Sequence, residues 1–254
     1  MYLTQSNQIK GLPQTDYEVL REMCRYAKNL YLGLDDLATC VNSADGSSFI
    51  IDGKYLKSLT HQYNRRLAQL QSILDQQHLS RSEQMARITI TRNHHVKGVM
   101  MKAARSIVNY CLAHRIGTIV VGYNPDGKHG ANMGQRNTQH FVQIPPGQLR
   151  NQLETRCDRY GIHYVEQEDS DTSKASFLDG DAIPLWNGTH QTVLFSGKRG
   201  QRGVYRTKAA LLNADVNGAT NIFRKSNHRL DFERVARGLL ANPLRVKLTS
   251  VGSS

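Results

Sequence analysis

Apolar residues recur along this chain with two periods. Leu59, Tyr63, Leu67, Leu70 and Leu74 fall three and four apart and predict a helix over residues 57–77. Met85, Ile88, Val96, Val99, Met100, Ala103, Ile107 and Tyr110 predict a second, longer helix over 82–114, so that the two form a helical hairpin. Val19, Leu20, Met23, Ala27 and Leu30 make a similar stripe, read as a helix ending near residue 30. Helices are also predicted over 147–160, stopped by Gly161, and over 230–240, ended by Asn242-Pro243. Strand-like runs lie between them, at 32–41, 47–52, 118–122 and 162–166, with an Asp45-Gly46 turn joining the first two. Residues 53–56 read as a further short strand or its start. Strands separated by periodic helices predict a mixed α/β domain with one sheet.

Composition narrows the partner. Lys and Arg number 33 against 21 Asp and Glu, a formal charge of +12. That excess favours a polyanion, nucleic acid before a membrane surface. No run of 18 apolar residues is present, and the N-terminal MYLTQSNQIKGLPQ lacks the apolar core of a signal peptide, so no membrane association and a cytoplasmic location are expected. Cys24, Cys40, Cys111 and Cys157 are far apart and include no C-x-x-C pair, so neither a zinc ribbon nor a disulfide framework is expected.

Three stretches carry candidate chemistry. Residues 213–222 read NADVNGATNI. Small residues there let a helix lie close to a sheet, and Asn217 and Asn221 fall one turn apart. Asn213 or Asp215 is a helix cap on one reading, while Asp215 is a metal ligand on the other. Glu166, Glu168, Asp169 and Asp171 follow the 162–165 strand, either as a solvated acidic loop or as metal ligands. Residues 178–212 are polar, with glycines interleaved with cations and short strands read at 192–195 and 204–206. Lys198, Arg199, Arg202, Arg206 and Lys208 suit a loop lying on a sugar-phosphate backbone, as do Lys128 and Arg136 in the long polar segment 124–144. His94-His95 point about 100° apart on a helix and read as surface or phosphate-contacting residues.

Taken in order, TIVVGYN at 118–124, IHYVEQEDSDTSKAS at 162–176, Phe195-Ser196-Gly197-Lys198-Arg199, Arg202-Gly203 and Asp215 resemble the C-terminal RuvC-like nuclease domain of the TnpB (OrfB) family. These are proteins of small bacterial insertion sequences and relatives of the type V CRISPR effectors. The resemblance runs from about Leu32 to Lys225. It implies a RuvC/RNase H-like mixed sheet with an inserted helical hairpin, DNA and a guide-like RNA as partners, and magnesium, weakly held. It divides the chain into a remnant N-terminal helix (1–31), a nuclease domain (32–241) and a tail (242–254). Asp215 matches the third metal-binding carboxylate. Asp169 or Glu168 matches the second, as in the subgroup whose usual strand-end Glu is replaced. The first falls at position 31, which here is Tyr31.

The resemblance further implies that the family's nucleic-acid lobe is missing, with Lys28-Asn29-Leu30-Tyr31 joined to Leu32-Gly33-Leu34-Asp35-Asp36-Leu37-Ala38-Thr39. A phenol is a poor substitute for a carboxylate between hard cations. Asp35 lies roughly 13 Å farther along an extended strand. Many relatives carry a four-cysteine zinc ribbon between the second and third acidic motifs; residues 175–212 contain no cysteine, so no zinc is expected. The expected function is that of a transposon-associated, nucleic-acid-binding protein derived from an RNA-guided DNA endonuclease, with impaired cleavage. The alternatives are an active magnesium-dependent RNA-guided endonuclease and a nuclease-dead DNA- or RNA-binding relic or repressor.

Overall fold

The computed structural model describes residues 27–31 (backbone), 36–123, 146–184, 193–200, 203–228, 231–240 and 242–248. Lys128, Arg136, Arg202 and the 1–26 part of the first predicted helix lie outside them.

The core of the fold is a six-stranded mixed sheet in the spatial order 163–168, 118–123, 27–31, 36–42, 48–52 and 244–246. β1 (Ala27–Tyr31), β2 (Asp36–Asn42) and β3 (Ser48–Asp52) form an antiparallel meander. β4 (Thr118–Tyr123) runs parallel to β1, and β5 (His163–Glu168) runs parallel to β4 at the edge. The strand regions expected near 32–41, 47–52, 118–122 and 162–166 therefore share one sheet. β2 turns into β3 through Asp45 and Gly46, whose φ of +74° is the left-handed conformation that the absence of a Cβ permits.

Two expectations about the N-terminal part are corrected. Residues 27–31 are a central strand, not the end of a helix, because two flanking strands give their backbone a ladder on both sides. Those ladders override a helical spacing that promised only one apolar stripe. The run read as a single strand over 32–41 begins at Asp36 as β2, since Tyr31 pairs with Thr39 and the chain must reverse between them. Residues 54–56 belong to helix α1 (Lys54–Gln76) rather than to a strand. The segment read as a tail supplies β9 (Leu244–Val246), which pairs parallel with β3.

Helices cover both faces of the sheet. Alternate strand positions divide between them, as the period of two requires. Ala38, Cys40, Ile119 and Val121 face the core made by α1, α2 (Glu83–Ala113) and α3 (Pro146–Tyr160). Val41 and Val120 face α4 (Ala214–Lys225) on the other side. Ser82 caps α2 by accepting from the Met85 amide at 3.2 Å, and Asp231 caps the last helix, α5 (Phe232–Leu239). A second, three-stranded sheet, β6 (Lys198–Arg199), β7 (Val204–Arg206) and β8 (Leu211–Asn213), leads into α4. Residues 193–195, read as a strand, lie outside it.

Candidate nucleic-acid and carboxylate site

Asn213, not Asp215, caps α4. Its Oδ1 accepts from the amides of Asp215 and Val216, each at 3.0 Å. The Asp215 carboxylate is thus not used for capping. It accepts instead from Arg199 Nη2 at 3.0 Å, and Arg199 is placed there by β6 pairing with β7. A guanidinium thus holds the carboxylate that the resemblance reads as a metal ligand.

The acidic stretch after β5 is laid back along α4 by three residues spaced four apart on one helix face, Asn217, Asn221 and Lys225. Asn217 Oδ1 accepts from the Phe177 amide at 3.0 Å, and its Nδ2 donates to Ala175 O at 2.8 Å. Asn221 Nδ2 donates to Thr172 O at 2.9 Å and Ala175 O at 2.7 Å. Lys225 Nζ donates to Glu168 Oε2 at 2.5 Å, to Ser170 O at 3.0 Å and to Ser170 Oγ at 3.2 Å. The Lys225 side chain is only 1% exposed, so this is an interior ion pair. Burial pushes Glu168 up, but its hydrogen bonds from Lys225 and Ser170 outweigh that and hold it below the usual carboxylate range.

Asp169 differs from both. Among the described residues no ion pair holds its carboxylate, and burial, with the neighbouring Glu168 charge, pushes it up to about 6. A Cβ built on Gly122 would lie 3.3 Å from Asp169 Oδ2 and 2.5 Å from Ile222 Cδ1. Ile222 therefore fills the space that a side chain at position 122 would occupy, and the Asp169 carboxylate lies beside it at the end of β4. The parallel ladder that sets Leu30 beside Val121 brings the backbone of position 31 alongside Gly122.

The structure does not bring the three predicted carboxylates together. Glu168 is held at the C-terminal end of α4 and Asp169 lies against Ile222. Asp215 is seven residues back, about 10 Å along the helix axis. Among the described residues no three His, Cys, Asp or Glu side chains form a group able to hold a metal. Asp36, at the start of β2, is held bidentately by Arg245 of β9 at 2.7 and 3.2 Å, and the charges of Asp52 and Asp215 also act on that guanidinium. Magnesium needs a near-octahedral set of oxygens. With Glu168 and Asp215 each held by a protein cation and a tyrosine at position 31, these residues do not fit a two-ion site.

The basic loop residues are partly placed. Lys198, Arg206 and Leu211 pair across the small sheet, and Lys198, Arg206 and Lys208 are exposed. Asp179 anchors this sheet to the body, accepting from Ser176 Oγ at 2.7 Å, Ser196 Oγ at 2.9 Å and the Lys208 amide at 3.2 Å. Sequence reasoning missed Lys225 and Arg245. The four-residue spacing of 217, 221 and 225 was a signal for the first; nothing local marked the second, which lies 209 residues from its partner.

Residues 30–126 match the model of the OrfB_IS605 family, described as a probable transposase. No curated protein matches the chain in sequence. Solved structures similar to it include Cas12f1 in a complex with single guide RNA and target DNA, at 16% identity and a TM-score of 0.54, covering 78% of this chain and 50% of that one. A CRISPR-Cas12f ternary complex matches at 16% identity and a TM-score of 0.55, covering 81% and 39%. The chain thus spans half or less of either relative, and the likeness establishes a shared fold. No helix among the described residues is long and apolar enough to cross a membrane.

Proposed function

We propose, from the premise that this chain belongs to the TnpB/OrfB family of insertion-sequence proteins, that it is a nucleic-acid-binding descendant of an RNA-guided DNA endonuclease whose cleavage is impaired. DNA and a guide-like RNA are its partners. Its sheet corresponds to the RuvC/RNase H-like core, in which a meander and two parallel strands present carboxylates towards one helix. Tyr31, at the end of the central strand, is the observation that carries the reading. A phenol with a pKa near 10 offers no negative charge at neutral pH to a cation. Asp169 and Asp215 are the surviving carboxylates of the site. Glu168 serves the structure through Lys225 rather than a metal.

The competing reading is an active magnesium-dependent endonuclease. It is favoured by the Asp169 carboxylate lying next to Gly122 at the end of β4, as a relocated second carboxylate would. One substitution separates the two. Tyr31→Asp restores a carboxylate at the position the resemblance gives to the first metal ligand, and calorimetric magnesium affinity is expected to rise at least about tenfold, since even residues that only orient a ligand are worth about 10- to 100-fold in affinity. A parent chain that binds magnesium as tightly as Tyr31→Asp, and nicks a guide-matched plasmid as fast, would overturn the impaired reading in favour of the active one.

A further inference from the structure

The charge of this protein is concentrated away from its carboxylates. Between residues 54 and 115 the sequence has eleven Lys or Arg and two acids, which accounts for nine of the chain's twelve net positive charges. These residues form the α1–α2 hairpin. Nine of the eleven cations are exposed. Both acids sit at the hairpin tip and are already engaged, Asp75 by Gln71 at 2.7 Å and Glu83 by Arg87 at 2.7 Å. From 54 to 74 and from 84 to 115 the shafts carry no acid at all. On α1, Lys54, Lys57, His61 and Arg65 lie within a band about 80° wide, roughly 120° around the helix from the buried Leu56 and Thr60, one every helical turn or so. The hairpin packs on the sheet face lined by Ala38, Cys40, Ile119 and Val121, whereas α4, Asp169 and Asp215 occupy the opposite face.

A solvated helix face ordinarily mixes both signs, since like charges a turn apart repel by a few tenths of a kcal/mol per pair. Acid-free shafts, about 31 Å of α1 and about 45 Å of α2, keep that repulsion along most of their length, with Lys54 paired to Asp52 at 3.9 Å. A polyanion laid along them removes it and releases its own counterions. Stacking platforms for splayed bases are scarce. Tyr63 lies under the Arg92 guanidinium at 5.6 Å, and Tyr110 is stacked on His114 at 3.8 Å. Tyr55, 37% exposed, is the one exposed Tyr, Phe or Trp of the two helices and contacts His95 at 3.3 Å, while His61, His94 and His95 add exposed imidazoles. A rigid cationic rod whose exposed rings are one tyrosine and a few imidazoles suits the sugar-phosphate backbone of a duplex better than a single strand.

We infer that the α1–α2 hairpin is a docking surface for the phosphate backbone of duplex nucleic acid, separate from the carboxylate face. This deepens the nucleic-acid-binding reading but rests on different residues. Full-length protein is titrated with labelled duplex DNA, duplex RNA, single strands of the same length and anionic vesicles across 50–300 mM salt. The variant replaces Arg65, Arg66, Lys97 and Arg105 by Gln; a second, charge-preserving variant carries Arg65→Lys, Arg66→Lys, Lys97→Arg and Arg105→Lys. Each lost phosphate contact removes about 0.9 from the log–log salt slope, roughly eightfold in affinity at 0.1 M salt. The Gln variant should lose at least about tenfold on duplexes, with a shallower slope and unchanged circular dichroism, while the charge-preserving variant binds as the parent does. A larger loss for duplex RNA than for duplex DNA, or the reverse, identifies which duplex docks. Duplex affinity and slope unchanged in the Gln variant would overturn the inference, as would parent affinity for vesicles or single strands equal to that for duplexes. If Lys198→Gln with Arg206→Gln abolished binding while the hairpin variant had no effect, this inference would fall and the nucleic-acid-binding reading would stand; a parent that bound no nucleic acid would sink both.

Discussion

Replacing Lys225 by Met tests whether the arm between residues 168 and 177 is held by one interior cation. Three hydrogen bonds from Nζ vanish together, and the Met side chain fills much of the volume, so the loss is electrostatic rather than a cavity. Breaking a buried pair from one side costs about 3–5 kcal/mol. Glu168 keeps 26% of its side chain exposed and recovers part of its hydration, which lowers the expected cost of Lys225→Met to roughly 2–3 kcal/mol. Glu168→Leu strands the other partner, whose side chain is 1% exposed, and should cost about 1 kcal/mol more. The double variant leaves no orphaned charge and should lie within about 1 kcal/mol of the parent. Guanidinium denaturation followed by circular dichroism reads all three as midpoint shifts at constant slope. Additive losses in the double variant, or a Lys225→Met effect below about 0.5 kcal/mol, would refute the reasoning.

Asp169→Asn removes a carboxyl that burial disfavours as an anion. Its folded value of about 6 stands above the ordinary 3.8, so the parent is favoured below pH 4 and loses stability as pH rises from 4 to 6. The variant should lack that decline and be more stable at pH 7 by up to about 3 kcal/mol, read by denaturation at each pH; a steeper decline in the variant would count against this. Asn217→Ala cuts both side-chain hydrogen bonds to Ala175 and Phe177 and strands the Phe177 amide, while Ala175 O keeps its bond from Asn221. A loss of about 2–4 kcal/mol in the same assay is expected, and one under 0.5 kcal/mol would show that the arm is held elsewhere.

Much of the sheet was legible because its strands are bounded by long periodic helices: β3, β4 and the hairpin helices fell within a few residues of their expected limits. β1 was not. Ala27-Lys28-Asn29-Leu30-Tyr31 has no β-branched residue and continues a helical spacing, and only the flanking strands make it extended. β9 was hidden for the same reason, being three residues defined by a partner nearly 200 positions away. Asp215 could be picked out, but its competition with Asn213 for the cap was settled by geometry. The acidic loop could be seen to hold several carboxylates, yet their separate fates depend on Lys225, Gly122 and Ile222, which no local pattern connects to them. The proposed role of position 31 rests on the family resemblance, because a Tyr at a strand end carries no signal of its own.

The central claim is that nucleic acid is bound and left uncut. The direct measurement is incubation of the full-length protein and co-expressed flanking RNA with a guide-matched plasmid in magnesium, scoring retention on a gel and strand breaks in the same samples. Plasmid should be retained at low salt, released as salt rises, and intact throughout. Magnesium-dependent nicking or linearisation by the parent, lost in Asp215→Ala, would contradict the claim.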